Sequence, residues 1–193
     1  MAAAANGGDH LGQRLVYQAT VPVEYQVIET VPDGHEYQSI QIDNEEVLHA
    51  IMLIDDAPKE RTEDSSAESQ EVLRLEHKIN LMFELLTSLY QQNTQLPNKL
   101  DLELRSDAVE WQSRQAIAAD GAIIQLKLHL SPKFPKPITL FGTAKFVAAE
   151  EVGTVSIIFD DLVSEHCRDW IDKYIFRHHR RAVALAKREC STQ

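Results

Sequence analysis

"KLDLELRSDAVEWQS", residues 99–113, swaps apolar for polar at nearly every step. Leu100, Leu102 and Leu104 alternate with Lys99, Asp101, Glu103 and Arg105, and after Asp107 the pattern resumes with Val109 and Trp111 against Glu110 and Gln112. Successive side chains of a strand point to opposite faces, so a period of two makes each run a strand with one dry face and one wet one. The same grammar continues through "AIIQLKLHL" (122–130), "PITLFGTAKFVAA" (137–149) and "GTVSIIFDD" (153–161). Asp120-Gly121, the prolines at 132, 135 and 137, and Gly153 punctuate these runs as turns. Short strands at this spacing predict an antiparallel barrel or sandwich.

Upstream, "LVYQATVPVEYQVIE" (15–29) reads as one more strand. Pro22 cannot donate to a ladder, so an edge strand or a bulge is expected there. "PDG" (32–34) reads as a turn. "DNEEVLHAIMLI" (43–54) reads as a helix, with Asp43 and Glu46 as a capping box, a strand being the alternative. The stretch 55–70 is polar and acidic, a linker in which Ser65 and Glu68 offer a second capping box. Downstream, Ser164 caps a helix running to about Arg188, with Glu165 in its first turn and cations in its last, as the helix dipole favours. Its apolar stripe includes Cys167, Ile171, Tyr174, Ile175, Ala182 and Leu185.

Residues 71–96 follow a different rule. Val72, Ile79, Leu86 and Asn93 fall at heptad position a, and Leu75, Met82, Leu89 and Leu96 at position d. A helix packed in its own globular core drifts along a 3.6 period, whereas this one holds 3.5, the mark of a coiled coil. The helix is expected to end near Leu96, because Pro97 disfavours helix in the residue before it. Phe83 and Tyr90 at e and Leu85 at g widen the stripe beyond what one neighbour covers, which predicts three or four helices rather than two. Asn93 would fix their register.

Composition narrows the function. Net charge is −11 in 193 residues, which argues against a nucleic-acid polymer or an anionic membrane surface as partner. Residues 43–71 carry ten acidic and two basic side chains, while Lys173–Arg188 carries six basic and no acidic ones. Cys167 and Cys190 are too few for a disulfide framework and fall in one helix. The start has no signal-peptide pattern and no apolar run is long enough to span a bilayer, so a cytoplasmic protein without membrane insertion is expected. No nucleotide-binding glycine loop, nucleophile elbow or HExxH motif occurs, so neither an enzyme, a metal site nor a cofactor is expected.

The strand-rich part followed by "HCRDWIDKYIFRHHRRAVA" (166–184) resembles a PilZ domain, above all in the I-x-x-Y-I-F-R-x-x-R run from Ile171 to Arg180. The resemblance covers 12–29 and 98–185. It implies a mainly β fold with α: a six-stranded antiparallel barrel with a C-terminal helix, here carrying an inserted helical coiled-coil segment. The expected organisation is a first strand at 12–30, a helical insert at 43–96 with its coiled coil at 71–96, and the rest of the barrel with the C-terminal helix at 98–188.

PilZ domains are best known as receptors for cyclic di-GMP. The family clamps the ligand with an RxxxR before the first strand and a D/N-x-S-x-x-G at a strand start. Matched here, "RLVYQ" supplies Arg14 but has Gln18 for the second arginine. "ELRSDA" has Glu103, Arg105 and Ala108 at the Asp/Asn, Ser and Gly positions. The one R-x-x-x-R, Arg177 to Arg181, lies at the wrong end of the domain. Losing a bidentate guanidinium and a close-approach glycine should cost several kcal/mol, at roughly 1.5–3 for each charged hydrogen bond. Cyclic di-GMP binding is therefore expected to be lost or very weak.

The chain thus resembles the degenerate PilZ proteins, some of them tetramers built on a heptad helix. That implies a non-enzymatic bacterial adaptor in cyclic-di-GMP-linked signalling, motility, pili or virulence. Its expected partners are its own copies, most simply as a tetramer, and other signalling or pilus proteins. The alternative is a working cyclic di-GMP receptor that uses Arg14 and Arg105 in altered geometry.

Overall fold

A computed structural model describes residues 15–55, 67–93 and 95–190. In chain order come strand β1 (Tyr17–Ile28), helices α1 (Gly34–Ile54) and α2 (Ala67–Asn93), strands β2 (Lys99–Leu104), β3 (Ala108–Ser113), β4 (Ile123–Leu128), β5 (Ile138–Val147) and β6 (Gly153–Ile158), a 3-10 turn (Asp160–Leu162) and helix α3 (Glu165–Cys190). The strands close an antiparallel barrel in the order β1-β2-β3-β6-β5-β4. Their dry faces fill it: Leu104, Ile124, Leu126, Leu128, Ile138, Leu140 and Ile157 are fully buried. The six strands are those the alternating runs predict, and the C-terminal helix is the one its Ser164 cap and apolar stripe predict.

Pro22 ends the half of β1 that only β2 pairs, so its missing N–H falls on the flank where the β4 ladder stops, a local edge of the kind expected. β1 pairs with β2 over residues 17–22 and with β4 over 23–28, so it closes the barrel by changing partner at its middle. The proline stands at the change. Its missing N–H costs the β2 ladder nothing, because the β2 bond at this point is made by the next residue, Val23 N–H to Asn98 O (3.0 Å).

Helix α1 begins at Gly34, nine residues before the expected start. Gly34 has φ +53°, in the left-handed region open to glycine, so the expected turn is itself the helix entry. Asp43 and Glu46 therefore sit inside the helix and cap nothing; Asp43 pairs with Lys136 instead (3.0 Å). The second proposed cap, Ser65, lies outside the described residues. Val47, Leu48, Ile51 and Met52 bury α1 in the barrel's core cluster, so α1 belongs to the barrel's packing. Asn44 fixes its height, donating Nδ2–H to Thr139 O and accepting Thr139 N–H, both at 2.7 Å.

Helix α3 starts as expected. Ser164 Oγ accepts the N–H of Cys167 at 3.1 Å. Cys167, Ile171, Tyr174 and Ile175 are buried, whereas residues 182–186, with Ala182 and Leu185 of the expected stripe, are exposed. Among the described residues, no helix is long and apolar enough to cross a membrane.

Candidate functional site

Two regions bear on function: the positions matching the ligand motif, and the heptad helix. The motif positions meet on the outside of the barrel, because even-numbered residues of β1 and odd-numbered residues of β2 face outward. Gln18 lies opposite Glu103, and its amide donates to Glu103 Oε1 at 2.8 Å. Thr20 repeats the arrangement one step along, its hydroxyl donating to the Asp101 carboxylate.

Arg105 follows β2. It donates Nη2–H to Glu110 Oε1 (2.7 Å) and Nη1–H to Glu110 Oε2 (3.3 Å), with Nε 3.5 Å from Asp107 Oδ1. Ser156 Oγ donates to the same Glu110 Oε1 at 3.1 Å. The guanidinium is thus held in a fork by one carboxylate and flanked by a second. Ala108 opens β3 opposite Ile158, buried. Of the sequence-matched positions, Gln18, Glu103, Arg105 and Ala108 lie in this neighbourhood, and Arg14 lies outside the described residues.

Beside these residues runs a groove of about 510 Å³ whose lining includes Gln18, Thr20, Asp101, Glu103, Glu110 and Trp111. It carries three carboxylates and no Lys or Arg among its described lining residues. Glu103 and Glu110 are direct cross-strand partners, a like-charge pairing that Gln18 on one side and Arg105 on the other offset. Asp101 and Glu110 were missed by motif matching. The signal for them was the alternation itself, which puts Asp101, Glu103 and Glu110 on one wet face. A phosphodiester approaching here meets like charge.

Helix α2 presents the opposite chemistry. Every residue from 70 to 86 is exposed. The six a and d residues inside the helix, Val72, Leu75, Ile79, Met82, Leu86 and Leu89, are 43–63% exposed, which excludes packing in the chain's own core. Phe83 and Leu85 are exposed as well, and Tyr90 is half-buried. The side chain of Asn93 lies outside the described residues. Leu96 is corrected: the helix ends at Asn93, so Leu96 stands beyond it, in the segment leading to β2. Thr87 Oγ–H donates to Lys133 O (3.0 Å), tying the end of α2 to the loop between β4 and β5. Thr87 is a b position, so the side held to the barrel differs from the a/d seam.

Elsewhere, burial pushes the Cys167 thiol up to about 11, which keeps it a neutral core residue. Among the described residues, no three His, Cys, Asp or Glu side chains converge to hold a metal ion.

The comparisons with known proteins agree with the barrel-and-helix fold. A family model described as "Atypical PilZ domain, cyclic di-GMP receptor" matches residues 48–188. That span takes in α2, which the resemblance read from sequence leaves out. The structure of a pathogenic protein from Xanthomonas campestris, described as a tetrameric PilZ domain self-assembled via an unusual helical bundle, superimposes with a TM-score of 0.67. The two are 18% identical over 90% of this chain and 93% of that one. No curated protein matches the chain.

Proposed function

The chain belongs to the atypical PilZ family, and on that premise we propose that it is a non-enzymatic, cytoplasmic adaptor that assembles through α2 and acts by contacting other proteins in cyclic-di-GMP-linked signalling, motility, pili or virulence. The observation that carries the reading is the exposed seam of α2. Burying a side chain such as Leu or Ile gains about 1.5–3 kcal/mol, so six of them in one line drive association strongly. The breadth added by Phe83, Leu85 and Tyr90 calls for a bundle of more than two helices. The structural neighbour is a tetramer built on a helical bundle, which supports four copies here.

Light scattering on the purified chain tests assembly. The expected mass is four times the 21.9 kDa chain. A mass of one chain would overturn the reading.

Loss of cyclic di-GMP binding belongs to the same proposal. Arg105 is already engaged by Glu110, and the neighbouring groove is acidic. The family description favours a second reading, a receptor that uses Arg14 and Arg105. Titration calorimetry with cyclic di-GMP separates the two: no heat of binding is expected, and micromolar affinity lost on Arg14→Ala would establish the receptor.

A further inference from the structure

The first half of β1 is paired on one side only. Val23 N–H donates to Asn98 O in register with the β1–β2 ladder, so the odd residues Tyr17, Ala19 and Val21 make its hydrogen-bonded pairs. The even residues send their N–H and C=O groups to the opposite edge. From residue 24 onward β4 covers that edge, and one more rung follows, His129 N–H to Pro22 O at 3.1 Å. The next two rungs fall at Thr20 and Gln18, and β4 does not reach them. After His129 the chain turns into a local bridge between Ser131 and Phe134, in a segment where Pro132 and Pro135 have no N–H to offer. Among the described residues, no backbone group bonds to Gln18 or Thr20 on this side.

A cleft of about 410 Å³ lies along this edge, within the roughly 300–1,000 Å³ of ligand clefts. Tyr17, Leu130, Pro132 and Leu96 give it apolar walls, and Lys99 and His129 are its ionisable lining residues. His129 Nδ1 lies 2.9 Å from Pro135 O, which fixes the far wall. In a chain of net charge −11, the described lining contains no carboxylate, in contrast to the acidic groove across the same strand.

We propose that this cleft receives an extended peptide of a partner protein, added as a short strand to the Gln18–Thr20 edge of β1. Its side chains would be apolar toward Tyr17 and Leu130, with a carboxylate toward Lys99. Two N–H and two C=O groups in alternation are complementary to a peptide backbone, and specificity then comes from alternate side chains. The 129–135 wall stands where a second barrel would have to approach, so the cleft admits one strand and not another sheet edge. The proposal deepens the adaptor reading, on which it rests only for the partner being a protein.

The test uses two probes, the capped peptide Asp-Val-Thr-Val-Thr-Val-Asp and its twin with lysine ends, titrated into the full chain and followed by amide NMR. The acidic peptide is expected to shift the Gln18 and Thr20 amides and to bind at least several-fold tighter than the basic one. Thr20→Pro removes only an edge donor, in the phase that Pro22 already occupies, and should weaken binding about tenfold. Thr20→Val keeps the N–H, loses the hydroxyl bond to Asp101, and should bind as the parent does. N-methylation along the peptide should weaken binding at every second residue, a readout that stands even if Thr20→Pro fails to fold. No binding, equal binding of both peptides, N-methyl effects without a period of two, or shifts mapped to the acidic groove would each overturn the proposal. The same titration on Leu86→Asp separates it from assembly, since docking should survive loss of the bundle.

Discussion

Helices α2 and α3 are nearly equal in length, 27 and 26 residues, and both carry an apolar stripe, yet only one stripe is buried. In α3, Cys167, Ile171, Tyr174 and Ile175 are covered by the barrel and α1. In α2, the corresponding side chains stand in water. The period of the stripe separates the two. The buried part of α3 needs to fit its barrel over only about two turns, and it fades where the helix runs past the barrel, at residues 182–186. The α2 seam keeps a 3.5 period through more than twice that length, which only a helix of similar course can match. The same residue types are thus buried core in α3 and exposed in α2, and the longer 3.5 period of α2 supports the proposal that a second helix covers them.

The largest effect expected is from a charge placed in each stripe. Leu86→Asp should reduce the particle from four chains to one and leave the barrel's circular dichroism unchanged. An unchanged mass would mean that α2 is not the assembly element. Ile171→Asp, on the buried stripe, should instead prevent folding, because an unpaired carboxylate in the core cannot be compensated.

Truncations give the next effect. Ile171→Ala should cost about 2–5 kcal/mol in urea unfolding through the cavity it leaves. Ile79→Ala, made in the Leu86→Asp background, should shift stability by no more than about 0.5 kcal/mol, as for an exposed site. Equal costs at the two positions would break the distinction between core and interface helix.

Helix α1 is held by a polar anchor that neither stripe has. Asn44→Ala removes both hydrogen bonds to Thr139 and leaves a half-buried N–H and C=O without partners, at up to about 1–3 kcal/mol for each group left unsatisfied. A cost near zero in thermal or urea unfolding would mean that α1 is positioned by its apolar face alone.

That anchor also marks where sequence reasoning stops. The barrel was legible because a period of two is a one-dimensional signal: each run shows its own dry face. Helix α2 was legible for the same reason, as a helical stripe, and the Ser164 cap because its donor is three residues away. Residues 34–42 were not. Gln41 and Asn44 are buried polar side chains whose partners, Ser164 N and Thr139, lie more than ninety residues off, and nothing local announces them. Pro22 announced a local open flank, but the change of partner that provides it depends on which neighbour β1 has at that residue. At the ligand-motif positions, the departures at Gln18, Glu103 and Ala108 could be read directly. The capture of Arg105 by Glu110 needed the β2–β3 pairing.

The smallest effect marks the point at which α3 stops being core. His178 is packed against the rings of Tyr17 and Tyr174 at 4.7 and 4.4 Å between centroids, half-buried, one turn before the helix becomes exposed. Burial holds its pKa below the ordinary histidine value of about 6.5, with Arg181 and Arg177 acting in the same direction and Asp55 against. A lowered folded pKa means that the unfolded chain binds the proton more readily. The histidine's contribution is therefore fully present above about pH 6.5 and is lost as pH falls through the folded pKa. The melting temperature of the Leu86→Asp chain should decline as pH falls below about 6.5, the ordinary histidine value. His178→Phe should remove that decline while keeping the ring contacts. A decline of the same size in both chains would assign the pH dependence to other groups, and would move the end of the buried stripe back to Ile175.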